Sequence, residues 1–236
     1  MPGRKAGRSA ADALFGGAAC IAAWLLGGLA LGSALGFVGQ GASALGRLLS
    51  SAVVATMVCG MHGGLAGPRR RPARSLLVRD GWPSLAIAAT LALMGMAGAG
   101  FPDAGPVAVG AAAAAVSEEA LFRCALLAEL APLGPVAACV GSSAAFAALH
   151  ALGASPALGM VRVALAFAFG LFLASEVWGG ARLSTAVAYH LAFDLALGLA
   201  GVASTGPMVL LASWGLMTLH LGAVGSLRLA ELGGGE

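Results

Sequence analysis

The sequence predicts an all-α membrane protein, a polytopic bundle of about eight transmembrane helices. Three observations predict it. Apolar residues make up 59% of the chain and charged residues only 10%, against roughly 25% charged in soluble domains. The mean hydropathy is +0.93. The apolar residues gather in stretches near the ~20 residues that a bilayer crossing needs, divided by short connections rich in Pro and Gly.

The first stretch, 13–37, follows a basic start of Arg4, Lys5 and Arg8. It is longer than the roughly 7–15 apolar residues of a signal peptide, so it reads as a retained span. Its Gly28, Gly32 and Gly36 recur every fourth residue, a face suited to close helix packing. Spans at 48–67 and 85–101 follow, with Pro68, Pro72 and Pro83 marking the connection between them. The fourth, 106–132, is bounded by Pro102, Gly105 and Pro106 on one side and by Pro132 and Pro135 on the other. The last four are 135–153, 155–177, 181–203 and 206–227, opened by Pro135, Pro156, Gly179 with Gly180, and Gly206 with Pro207. No internal repeat is visible and the connections are too short for a folded module. The expected organisation is a cytoplasmic segment 1–12, one membrane domain 13–229 and a tail 230–236.

Basic residues orient the bundle. Arg4, Lys5 and Arg8, then Arg69, Arg70, Arg71, Arg74 and Arg79, then Arg182 and Arg228, all fall on one side of an eight-span topology. That excess marks the side as cytoplasmic and puts both termini there. Arg47 breaks the pattern, and Arg162 sits near the outer end of the sixth span. The Arg69–Arg79 cluster reads as a topology determinant touching anionic headgroups, with no sign of nucleic-acid binding. Cys20, Cys59, Cys124 and Cys139 lie inside apolar spans without paired spacing and read as small packing residues.

Against this apolar background three ionisable clusters stand out. Glu118, Glu119 and Arg123 interrupt the fourth span, His150 follows Phe146 by four residues in the fifth, and His190 and Asp194 are four apart in the seventh. An ionisable group at a membrane helix centre costs at least ~2.5–3.5 kcal/mol. These residue types suit one buried hydrolytic site. Glu119 and Arg123 share a helix face, so Arg123 neutralises Glu119. Glu118, turned about 100° away, is left to face something else. At ~1.5 Å per residue, Glu118, His150 and Asp194 lie roughly 20–22 Å from the cytoplasmic ends of their helices and His190 roughly 14 Å, close enough for one layer. His62 and His220 read as ordinary core histidines, and Glu129 and Glu176 as solvated carboxylates at cytoplasmic helix ends.

These residues carry a resemblance. Glu118-Glu119-Ala120-Leu121-Phe122-Arg123 resembles the EExxxR motif of the CPBP family, the CAAX-protease and bacteriocin-processing intramembrane proteases. Phe146-Ala147-Ala148-Leu149-His150 resembles its FxxxH motif, and His190-Leu191-Ala192-Phe193-Asp194 its HxxxN/D motif. The three appear in family order over 106–202. Asp194 stands where the prenyl-protein proteases of the family tend to carry Asn.

The resemblance implies an eight-helix intramembrane endopeptidase. Glu118 would match the catalytic glutamate, His150 would help it activate water, and His190 with Asp194 would hold the scissile carbonyl. Glu119, Arg123 and Phe146 would support the site. His150 and His190, with Asp194 or Glu118, also make a plausible zinc set with an open water position. Zinc-dependent and glutamate-type hydrolysis both stay open, and the donor count leans toward zinc. The expected substrate is a membrane-anchored protein or peptide, matured or cut near a C-terminal anchor. The Ala/Gly/Arg-rich composition suggests a bacterial cytoplasmic membrane. Two other readings accompany this one. Buried Glu, His and Arg also serve proton- or ion-coupled transporters, although those often carry inverted repeats. The third reading is a non-proteolytic immunity or scaffold protein of the same family.

Overall fold

The computed structural model describes residues 9–36, 53, 77–99, 104–151, 156–202 and 206–234. Every regular element among them is helical. In chain order these are α1 (Ala10–Gly36), α2 (Leu77–Ala99), α3 (Ala104–Glu119), a π-helical segment (Ala120–Leu126), α4 (Leu127–Leu130) and a 3-10 turn (Ala131–Leu133). Then come α5 (Pro135–Ala151), α6 (Pro156–Trp178), α7 (Leu183–Val202) and α8 (Pro207–Gly233). Seven of the eight expected spans are thus matched by helix. The eighth, 48–67, lies outside the described residues apart from Val53, which is helical. Among the described residues, 158–178, 183–200 and 208–233 are long and apolar enough to cross a membrane.

The fourth span is not one regular helix. It passes from α3 into the π-helical segment, where the Leu127 N–H reaches back to the Phe122 carbonyl. It stops at Gly134, whose φ of 87° and ψ of 167° suit glycine. Pro135 opens α5 immediately after, because proline is tolerated in a first helical turn. Two other boundaries shift. Pro83, expected in a connection, lies inside α2, which begins at Leu77 and so includes Arg79 and Asp80. α8 runs on through Gly233, into residues expected as tail.

An ionic tie joins the two shifted ends. Arg228 of α8 donates to Asp80 of α2 at 2.9 Å, to Glu176 of α6 at 3.2 Å and to Glu231 of its own helix at 2.7 Å. Glu176 is therefore buried and paired where a solvated carboxylate was expected, and Glu129 is buried too. Nearby, the Ser84 hydroxyl and His220 Nδ1 lie 2.8 Å apart, the satisfied core role expected of His220. His62, Cys59 and the Arg69–Arg71 run fall outside the described residues.

Packing joins α5 to α6, α6 to α8, α2 to α7 and α3 to α7, with α1 against the π-helical segment. Lipid removes most of the hydrophobic drive between helices, so small residues and close backbones must hold them. Ala88, Ala115, Ala138, Ala174, Ala186 and Ala200 are fully or almost fully buried. At Gly225 of α8 an added Cβ would sit 3.0 Å from the Phe172 backbone nitrogen of α6. Larger side chains, among them Phe122, Phe146, Phe172, Met217 and Leu221, fill the remaining core.

Candidate active site

The site is assembled where the C-terminal end of α3 meets α5 and α7. Glu118 and Glu119 are the last two residues of α3. Arg123 follows within the π-helical segment, a geometry that recurs at functional sites. Ser142 of α5 donates to the Phe122 carbonyl at 2.8 Å and so fastens that segment to the helix carrying Phe146 and His150.

His190 is the centre of the cluster. Its Nδ1 lies 2.9 Å from Glu119 Oε1. Its Nε2 lies 3.3 Å from Asp194 Oδ2 and 3.9 Å from Glu118 Oε2. The ring is almost wholly buried and packs edge-on against Phe169, with centroids 5.0 Å apart, and against Phe146 at 5.9 Å. A tightly walled imidazole with a bonded Nδ1 has little rotational freedom, so Nε2 is fixed toward the two remaining carboxylates.

Glu119 and Arg123 pair as expected, but loosely. Arg123 Nε is 3.4 Å from Glu119 Oε2, both side chains are fully buried, and the shorter bond of Glu119 is the one to His190. The Arg123 guanidinium instead lies over the Phe146 ring, 4.8 Å from its centroid. Such a contact offsets part of a buried cation's desolvation. No nitrogen of this guanidinium has a hydrogen-bond partner among the described residues. Phe146 thus supports two functional groups. It carries Arg123 on its face, while its ring and carbonyl meet His150, whose Nδ1 is 3.0 Å from Phe146 O.

Glu118 behaves differently from Glu119. Its Oε2 is buried and has no hydrogen-bond partner among the described residues. It borders a cavity of about 380 Å³ together with His150, His190 and Asp194. All four expected reacting residues therefore share one space, the single layer inferred from helix depth. Arg162, Phe169 and Trp214 also line it. Arg162 had a signal in the sequence, as a basic residue on the wrong side of the charge pattern. Phe169 and Trp214 had none, because an aromatic in an apolar helix looks like core.

Catalytic zinc takes three protein ligands at about 2.0–2.2 Å plus a water. Among the described residues no group of three His, Cys, Asp or Glu side chains is gathered to hold a metal ion. His150 Nδ1 is turned to its own helix's carbonyl. The side chains as they stand do not fit a zinc ion.

Residues 100–196 match the family model described as Type II CAAX prenyl endopeptidase Rce1-like. No curated protein and no solved structure matches the chain. The matched segment runs from just before α3 to just past Asp194 and contains Glu118, Glu119, Arg123, Phe146, His150, His190 and Asp194. The match is to the CAAX protease family whose motifs the sequence resembles, and the matched segment lies within an integral membrane protein.

Proposed function

We propose that the chain is an intramembrane endopeptidase that cuts a membrane-anchored protein or peptide, with Glu118 as general base. The observation that supports this most is the Glu118 carboxylate itself. It is a part-buried acid with a buried, unpartnered oxygen, it borders a cavity, and it lies 3.9 Å from His190 Nε2. A group so placed is free to take a proton from a water in the cavity.

The steps follow from the geometry. Glu118 and His150 hold the water, and Glu118 accepts its proton. The resulting hydroxide attacks the scissile carbonyl carbon, and the carbonyl electrons move to its oxygen. His190 is suited to that oxygen, because Glu119 at Nδ1 holds the ring with Nε2 toward the cavity. Asp194 aligns the His190 Nε2–H from one side. Collapse of the tetrahedral species breaks the C–N bond, and Glu118 returns its proton to the leaving nitrogen. No step runs through a metal.

The reading places the active site in the outer half of a bacterial cytoplasmic membrane, with both termini cytoplasmic. It suits maturation of a peptide or processing near a C-terminal anchor. The test is Glu118→Gln, which retains shape but cannot accept the proton. The variant is expected to insert and accumulate normally while cleavage of a membrane-anchored substrate is lost. Retained cleavage would remove Glu118 as the base.

A further inference from the structure

Among the described residues, Ser84, Ser117, Ser142, Ser143 and Ser175 are buried. Three of them satisfy their hydroxyl locally. Ser117 donates to Ala113 O, Ser143 to Cys139 O and Ser175 to Phe172 O, each three or four residues back in its own helix. That is the usual outlet for a hydroxyl in an apolar helix. Ser84 meets a side chain, His220 Nδ1. Ser142 differs from all four. It donates at 2.8 Å to a backbone carbonyl of another element, that of Phe122, twenty residues earlier in the chain.

The carbonyl it reaches belongs to the shifted ladder. Phe122 O accepts the N–H of Leu127, five residues on, where an α-helix would bring that of Leu126. A π turn is rare. A second donor on its carbonyl stabilises an offset that the backbone alone does not favour.

Ser142 also belongs to a stripe. Ser142, Phe146 and His150 recur every fourth residue on α5 and share a face. Phe146 meets the Phe122 ring, with centroids 5.1 Å apart, and lies under the Arg123 guanidinium. His150 borders the cavity with Glu118. Ring contacts tolerate sliding, whereas a hydrogen bond is directional. Glu118 and Glu119 precede Phe122 by only four and three residues, so a change of ladder at that carbonyl displaces both acids.

We propose that Ser142 is a positioning residue, whose hydroxyl holds the 120–126 segment in its π register and thereby keeps Glu118 and Glu119 against His190. The proposal rests on the endopeptidase reading and deepens it, by adding to that site a residue outside all three motifs. Ser142 touches no reacting atom; it acts through the Phe122 carbonyl.

The experiment reads position, not turnover. The full chain, isotope-labelled at phenylalanine carbonyl carbons and at arginine and histidine nitrogens, is studied by solid-state NMR in phosphatidylcholine bilayers. Phe122-Arg123 is the one Phe-Arg step in the sequence, so a single carbonyl–nitrogen peak reports the bonded carbonyl. The His190 Nδ1–H, 2.9 Å from Glu119, gives a downfield proton signal identified by its absence in His190→Gln. Ser142→Ala is expected to move the Phe122 carbonyl upfield and to shift or remove the His190 proton. Ser143→Ala deletes an equally buried hydroxyl bonded within α5 and should change neither. The proposal is overturned by an unchanged Phe122 carbonyl in Ser142→Ala, or by a His190 proton that stays in place while that carbonyl moves. An equal effect of Ser143→Ala, or no such His190 proton in the parent chain, would overturn it too. Should Ser142→Ala fail to fold, Ser142→Cys, a weaker donor of similar size, is judged by the same outcomes. Failure of the Glu118 assignment appears separately, as retained cleavage by Glu118→Gln with both signals intact.

Discussion

Glu119 Oε1 and His190 Nδ1, seventy-one residues apart in the chain, lie 2.9 Å from one another in a fully buried contact. The bond joins the end of α3 to the middle of α7 and fixes which nitrogen of the ring faces the cavity. It makes Glu119 the orienting partner of His190, a role separate from its ion pair with Arg123.

Glu119→Gln should therefore impair catalysis more than folding. The amide oxygen can still accept from Nδ1–H, but the carboxylate charge beside the ring is gone. Activity is expected to fall roughly 10–100-fold, the ~1.5–3 kcal/mol of a hydrogen bond to a charged group. The check is single-turnover cleavage at matched protein abundance. Glu119→Ala should be worse, because the ring is then free to turn. Equal activity of Glu119→Gln and wild type would mean that the contact only packs the bundle.

Arg123→Ala should affect stability first. It leaves buried Glu119 with His190 as its remaining partner, at a cost of up to ~3–5 kcal/mol for a broken buried pair. It also strips the cation from the face of Phe146. Reduced abundance and a lower thermal midpoint in detergent are expected. Normal abundance with selective inactivation would instead place Arg123 in the reaction.

The metal question has a direct measurement. The glutamate-type reading predicts no stoichiometric zinc in active purified protein and activity that survives strong chelators. Metal should be analysed in wild type and in His150→Ala and His190→Ala. About one zinc per wild-type chain, lost in both variants, would show that the side chains close on an ion and would overturn the glutamate-type reading.

Much of this was legible in the sequence for plain reasons. Helices in lipid must satisfy every backbone group internally, so apolar runs punctuated by Pro and Gly identify them. Proline and glycine at 134–135 and 206–207 gave helix ends that the structure matches closely. The depth of Glu118, His150, His190 and Asp194 could be estimated because helical rise is constant. Less accessible was anything set by one helix meeting another. Glu176 looked solvated because it lies near a helix end; Arg228, one residue past the expected end of α8, reaches across to pair with it. The Glu119–His190 bond has no local signature. The π-helical segment was hidden for another reason: Ala-Leu-Phe-Arg-Cys-Ala-Leu reads as ordinary helix, and a shifted hydrogen-bond ladder leaves no mark in composition.

That segment has a consequence for the geometry of the whole span. A π turn carries one residue more than an α turn would, so the helix has taken up an insertion without bulging into a loop. Residues on either side of it keep separate angular phases. Closing the ladder as α with all seven residues of 120–126 kept would rotate Glu118 and Glu119 by about 100°, one residue's turn, relative to Leu127–Leu130. The two carboxylates would swing away from α7 while the leucines stayed docked in the core. The angular placement of the acids is thus set independently of the helix's anchoring, by a single residue of slack.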